Sequence, residues 1–155
     1  TVDENGLFTA GQSGGSGTIT VSAGGQTKTV KVTVKDTHAD VPQGHWAYEA
    51  VEYCYEHGIV SGVSDSAFAP NGAITREQLA VMLYRYAQYK GYDVSKTADL
   101  SGYADSAAVS VWAKDAMSWA VGSGLISGRS ATTLAPAGSA TRAECAVIFT
   151  QMFQK

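Results

Sequence analysis

A chain of 155 residues has room for one ordinary domain, or for a compact domain with an appendage, and 45% hydrophobic against 16% charged residues is core-forming rather than disordered composition. A formal net charge of −3 argues against a nucleic-acid partner held by bulk electrostatics, so any anion site must be local. No apolar run approaches the roughly 20 residues of a membrane-spanning helix, and Cys54 and Cys145 are too few for a disulfide framework. The start at Thr1, without a methionine or a signal peptide, leads us to expect a piece of a longer protein.

Residues 1–36 are rich in Gly, Thr, Ser and Val, and GTITVSAGGQTKTVKVTV alternates apolar and polar positions over two runs. That period predicts a β-hairpin: Val30, Val32 and Val34 share one face, Thr29, Lys31, Thr33 and Lys35 the other, and Gly24-Gly25 supplies the positive φ of a tight turn. A lone hairpin is marginal in water, which leads us to expect further strands upstream. The segment resembles the last strands of a bacterial immunoglobulin-like domain of the group 2 type. That resemblance implies the C-terminal part of such a domain and a surface-protein context.

From about residue 37 the texture turns aromatic and helix-forming, and the chain repeats itself at a constant offset, Trp46 to Trp112 and Arg76 to Arg142, without a gap. Identical pairs also include Gly58/Gly124, Ser61/Ser127, Gly62/Gly128, Pro70/Pro136, Gly72/Gly138 and Thr75/Thr141. Each copy reads as helix, glycine-rich loop, helix. The first helix carries Trp46, Ala47, Ala50, Val51 and Cys54 on one stripe, mirrored by Trp112, Ala113, Ala116, Met117 and Ala120, with Gly58 and Gly124 placed to stop it. On that stripe the two tryptophans read as core more readily than as sugar platforms.

The second helix of each copy opens on a capping box, Thr75 with Gln78 and Thr141 with Glu144. Leu79, Met82, Leu83, Tyr86 and Ala87 then form one buried face, and Cys145, Ile148, Phe149, Met152 and Phe153 the other. Arg76 and Arg142 follow the caps although a cation in the first turn opposes the helix dipole by about 0.3–1 kcal/mol. Two readings stay open on this evidence of pattern alone: free N–H groups and a guanidinium fork converging on an anion, or pairing with an acidic residue of the fold such as Asp40 or Asp105. Arg76 is the residue that the fold does not obviously need.

Residues 40–86, with Asp-Val-Pro, His-Trp-Ala, Gly-Ile-Val-Ser-Gly, Phe-Ala-Pro and Thr-Arg-Glu-Gln in order, closely resemble the S-layer homology motif. Residues 103–152 look like a second, diverged copy that keeps Asp105, Trp112, Gly124, Gly128, Pro136 and Thr141-Arg142-Ala143-Glu144 but lacks Val-Pro after the aspartate. The resemblance implies a mainly α fold of helix-loop-helix repeats, divided as 1–36, 37–90, a linker 91–102 and 103–155. Because the family usually assembles three repeats, two make an incomplete pseudo-threefold bundle, its gap filled by the linker, the N-terminal segment or another chain of a homo-oligomer. It also implies an exported, non-enzymatic module at the bacterial cell wall that holds a secondary cell-wall polysaccharide, often one with a pyruvate ketal. On that reading Arg76 and Arg142, at Thr75 and Thr141, answer the carboxylate. Trp46 and Trp112 answer the ring, Asp40 and Asp105 accept from hydroxyls, and Gly62 and Gly128 allow close backbone approach. The competing class is a self-assembly module in which the arginines are structural.

Catalysis finds little support. Cys54 and His57 share a helix, but Cys54 aligns with Ala120, a core position, whereas a reactive thiolate needs a polar, electropositive setting. His38, His45 and His57 are isolated, so no metal or other cofactor is implied.

Overall fold

The computed structural model describes residues 2–9, 14–34 and 37–153. Strands β1 (Gly15–Ala23) and β2 (Gln26–Val34) form an antiparallel hairpin whose register runs from Gly15 opposite Val34 to Ala23 opposite Gln26. Gly24 and Gly25 take the turn at φ +56° and +79°, the double left-handed geometry that matches strand twist. Val30 faces Ile19 across the ladder, and Val32 and Val34 face Gly17 and Gly15. Both faces are largely exposed, Val21 and Val30 among them, and among the described residues no second sheet of an immunoglobulin-like sandwich accompanies the hairpin. Lys35 lies outside the described residues.

The remainder is helical, in the predicted order: α1 (Tyr48–Glu56), α2 (Arg76–Tyr89), α3 (Lys114–Gly122) and α4 (Arg142–Phe153), with short 3-10 turns at Ser106–Ala108 and Val111–Ala113. Gly58 and Gly124 stop α1 and α3 at φ +68° and +72°, where a Cβ would be strained. The chain forms two compact units, Thr1–Glu56 with Ser61–Pro70, and His57–Val60 with Asn71–Lys155.

In the first unit α1 packs Tyr48 and Val51 on Val41, with Ala47 and Phe68 alongside. His38 is buried edge-on between the rings of Tyr55 and Phe68, at 5.0 and 5.5 Å. The expected stripe is only partly realised, because Trp46 precedes the first turn of α1 and leaves its register, and Ala50 faces solvent.

The second unit holds the larger core. Leu79, Leu83 and Ala87 of α2 meet Ala116, Met117 and Ala120 of α3, as the 3.6-residue period dictates. The linker lies along α3: Ala98 N–H donates to Ser118 O at 3.0 Å and Ser118 Oγ donates back to Ala98 O at 2.7 Å. Gly122 permits this, since a Cβ there would meet the Thr97 carbonyl carbon at 2.6 Å. Helix α4 buries Ile148 and Met152 as expected, but Phe149 and Phe153 stack on each other, 6.1 Å apart, on an exposed face rather than in the core.

Candidate functional site: the two Thr-Arg helix starts

The start of α2 is saturated. Gln78 N–H donates to Thr75 Oγ1 (3.2 Å) and Thr75 N–H to Gln78 Oε1 (2.9 Å), completing the capping box. The two preceding helical N–H groups, of Arg76 and Glu77, donate to Gly138 O (2.9 Å) and Pro136 O (3.0 Å) in the second repeat's turn. The donors that make a helix start attractive to anions are therefore occupied by backbone. The Glu77 carboxylate accepts in turn from Ser110 N–H (3.0 Å) and Ser110 Oγ (2.9 Å), ahead of α3.

Arg76 is built into the fold, contrary to the expectation that the fold does not need it. Only 5% exposed, it donates from Nε to Leu134 O (3.1 Å), from one terminal nitrogen to Glu144 Oε1 (2.8 Å) and from the other to Ser127 O. Its acidic partner is thus Glu144 rather than Asp40 or Asp105. A fixed guanidinium fork suits this work, because its donors reach two carbonyls and a carboxylate at once.

Asp40 and Asp105 have a common task of a different kind. Asp40 accepts from Phe68 N–H (2.8 Å) and Ala69 N–H (2.7 Å), and Asp105 from Leu134 N–H (2.8 Å) and Ala135 N–H (2.7 Å). Ala69 and Ala135 sit at φ +60° and +54°, a conformation costly for any residue with a Cβ. Each aspartate offsets that strain by clamping the turn. These N–H donors hold both carboxyls below the usual aspartate range, Phe68 and then Ala69 for Asp40, Leu134 and then Ala135 for Asp105.

At the start of α4 the cap is made again, Thr141 N–H to Glu144 Oε2 (2.7 Å) and Glu144 N–H to Thr141 Oγ1 (3.2 Å), and the Thr141 backbone heads the causes that lower the Glu144 carboxyl. The rest differs. Arg142 is exposed, its side chain makes no hydrogen bond or ion pair among the described residues, and the N–H groups of Arg142 and Ala143 have no partner there. Beside this helix start lies a groove of about 290 Å³ lined by Arg76, Ser127, Gly128, Arg129, Glu144 and Val147 among others. Arg129, which the sequence reading missed, donates to Ser139 O (2.8 Å) and lies 3.4 Å from Glu144 Oε2 with a half-exposed side chain. Its signal was a charge in one loop where the other copy has Val63. Two guanidinium groups, of Arg76 and Arg129, and one carboxylate, of Glu144, line the groove.

Trp46 and Trp112 are 86% and 59% exposed, so the reading of both as core is overturned. Both precede their helices, Trp112 in the turn Val111–Ala113, which frees their rings from the buried stripe. Gly62 and Gly128 serve the loops themselves. A Cβ at Gly62 would collide with Ala67 O and approach His38 Nε2 at 2.8 Å, and one at Gly128 would collide with Ser130 O and approach Tyr103 Cε1 at 2.6 Å. No cluster of His, Cys, Asp or Glu among the described residues has metal-binding geometry, and no helix there is long and apolar enough to cross a membrane.

Paired Asp-clamped turns, capping-box helix starts and exposed tryptophans define a repeated helix-loop-helix module. The S-layer homology domain model matches residues 39–80 and 102–146, and the chain belongs to that family. The match leaves out the hairpin, and nothing in it supports a preceding immunoglobulin-like domain. The chain is 36% identical over 126 residues to the surface-layer 125 kDa protein of Lysinibacillus sphaericus, spanning 79% of this chain and 10% of that protein. It is 34% identical over 111 residues to an endoglucanase of Bacillus sp. (strain KSM-635), 72% and 12% of the two chains. A cellulosome-anchoring protein of Acetivibrio thermocellus is 27% identical over 125 residues, 77% and 26%. The chain thus spans about a tenth of the first two relatives' length. No solved structure matches. Family membership places the chain at the cell surface, where S-layer homology domains bind the cell wall.

Proposed function

We propose that the chain anchors a surface protein non-covalently by holding an acidic secondary cell-wall polysaccharide, with a carboxylate such as that of a pyruvate ketal seated beside the Thr141 helix start. The observation that carries this reading is the pair of guanidinium groups in the groove there, where Arg129 offers a half-exposed fork and Arg76 lies buried beneath. Trp46 and Trp112 present exposed faces on which sugar rings stack. Asp40, Asp105, Gly62 and Gly128 act through the loops they hold in shape, and the working repeats are 37–90 and 103–155. The relatives, a surface-layer protein, an endoglucanase and a cellulosome-anchoring protein, carry names of different work and share this one module. That pattern suits an anchor better than a catalyst. The competing reading of structural arginines is favoured for Arg76 by its burial, and it applies to that residue rather than to the module.

Co-sedimentation with purified wall polysaccharide tests this. Arg129→Ala is expected to weaken binding about tenfold or more, the value of one charge-assisted hydrogen bond, with helical content unchanged. Stripping carboxylate substituents from the glycan should do the same to the parent chain. Unchanged binding in both arms would remove the groove from the site.

A further inference from the structure

We infer that Glu77 is a positioning residue for glycan binding: through Ser110 it fixes the base of the exposed Trp112 ring, which makes Trp112, and not Trp46, the preorganised platform of the two. The inference rests on the proposed reading of both tryptophans as surfaces for sugar rings. Glu77 lies buried in the first turn of α2. Its carboxylate accepts from two groups of one residue 33 positions away, from Ser110 N–H at Oε2 (3.0 Å) and from Ser110 Oγ at Oε1 (2.9 Å). Buried and turned toward Ser110, Glu77 does not touch a ligand and acts only through what it holds.

What it holds is the root of Trp112. Ser110 O accepts from Ala113 N–H at 2.9 Å and so closes the 3-10 turn Val111–Ala113. Val109 and Ala113, on either side, are buried in the core, whereas Val111 and Trp112 project into solvent. A turn of this length is weakly held by its own hydrogen bond. The two charge-assisted bonds to Glu77 supply the restraint nearest the ring, and they come from a different helix.

The first repeat lacks this device. Two residues before Trp46 stands Gly44, at φ +98° and without a hydroxyl to offer. The contacts of the Trp46 turn are between near neighbours: Ala47 N–H donates to His45 Nδ1 at 3.2 Å, Tyr48 N–H to His45 O at 2.9 Å, and the His45 ring lies tilted beside Trp46 at 5.7 Å. They tie the turn to itself rather than to another helix. Helix α4 does not repeat the device either, since Ala143 occupies the place of Glu77. A ring fixed before the ligand arrives spares binding the cost of ordering it, so Trp112 carries the greater share of ring affinity.

The test uses the whole chain labelled with 5-fluorotryptophan, its resonances assigned by single Trp→Phe replacements, together with co-sedimentation on purified wall polysaccharide. Without glycan, Glu77→Ala should shift the Trp112 resonance and leave that of Trp46 in place. With glycan it should weaken binding about fivefold, and in a Trp112→Ala background it should weaken it no further. Glu77→Gln should restore binding to within about twofold, because its oxygen accepts from Ser110 N–H while its amide donates to the Ser110 hydroxyl. Should Glu77→Ala fail to fold, Ser110→Ala, which removes the hydroxyl bond alone, should give the same resonance shift and about a twofold loss. Full binding by the folded Glu77→Ala chain beside a loss in Trp112→Ala would overturn the positioning role and leave Trp112 as a sugar platform. Full binding by Trp112→Ala would overturn both, and a Glu77→Ala loss that persists undiminished without Trp112 would overturn the positioning role.

Discussion

Helices α2 and α4 begin with the same words, Thr-Arg, and end in opposite situations. In α2 the first turn is filled by backbone carbonyls and its arginine is buried on two more and a carboxylate, whereas in α4 the corresponding groups face solvent. The difference lies in the neighbour that each helix meets in space. A second repeat packs on α2, and α4 has no such neighbour among the described residues. A first-turn arginine that opposes its own helix dipole is thus favourable where a neighbouring loop supplies acceptors.

Breaking the closed side should have the largest effects. Arg76→Ala strands the buried Leu134 carbonyl and the part-buried Ser127 carbonyl and removes the buried partner of the part-exposed Glu144 carboxylate, and urea unfolding should show a loss of about 3–5 kcal/mol. Gly128→Ala forces a Cβ onto Ser130 O and Tyr103, and the same assay should show about 1–3 kcal/mol. Glu144→Gln keeps the cap, as Gln78 does in the first repeat, but removes the charge facing Arg76 and Arg129. About 1 kcal/mol should be lost, and the loss should shrink when Arg76 is also replaced.

The smallest effect is one of pH. Because N–H donors depress the Asp105 carboxyl when folded, its stabilising contribution is complete above its unfolded value near 3.8 and is lost as pH falls through the lower folded value. Stability against pH should therefore drop below about pH 4 and be flatter there in Asp105→Asn. An unchanged acid limb would disprove the clamp.

The elements, the starts of the second helices and the stops of the first were legible because they rest on local rules: period 2 with Gly24-Gly25 for the hairpin, period 3.6 with Thr75/Gln78 and Thr141/Glu144 for the second helices, and Gly58 and Gly124 for the stops. The wrong readings concern position relative to distant chain. Trp46 and Trp112 fall on the buried stripe only if their helices start earlier than they do. Phe149 and Phe153 match buried positions of α2 yet are exposed, since burial depends on a neighbour that periodicity does not reveal. The loop-clamping work of Asp40 and Asp105 was not legible because nothing local announces the left-handed alanines 29 and 30 residues downstream. Arg76 could be read as spare because its acceptors lie 51 to 68 residues away.

The most direct measurement is equilibrium unfolding of Arg76→Ala and Arg142→Ala side by side in the unmodified chain. A closed and an open helix start predict a loss of about 3–5 kcal/mol for the first and no more than about 0.5 kcal/mol for the second. Equal losses, or a larger one for Arg142→Ala, would contradict the account.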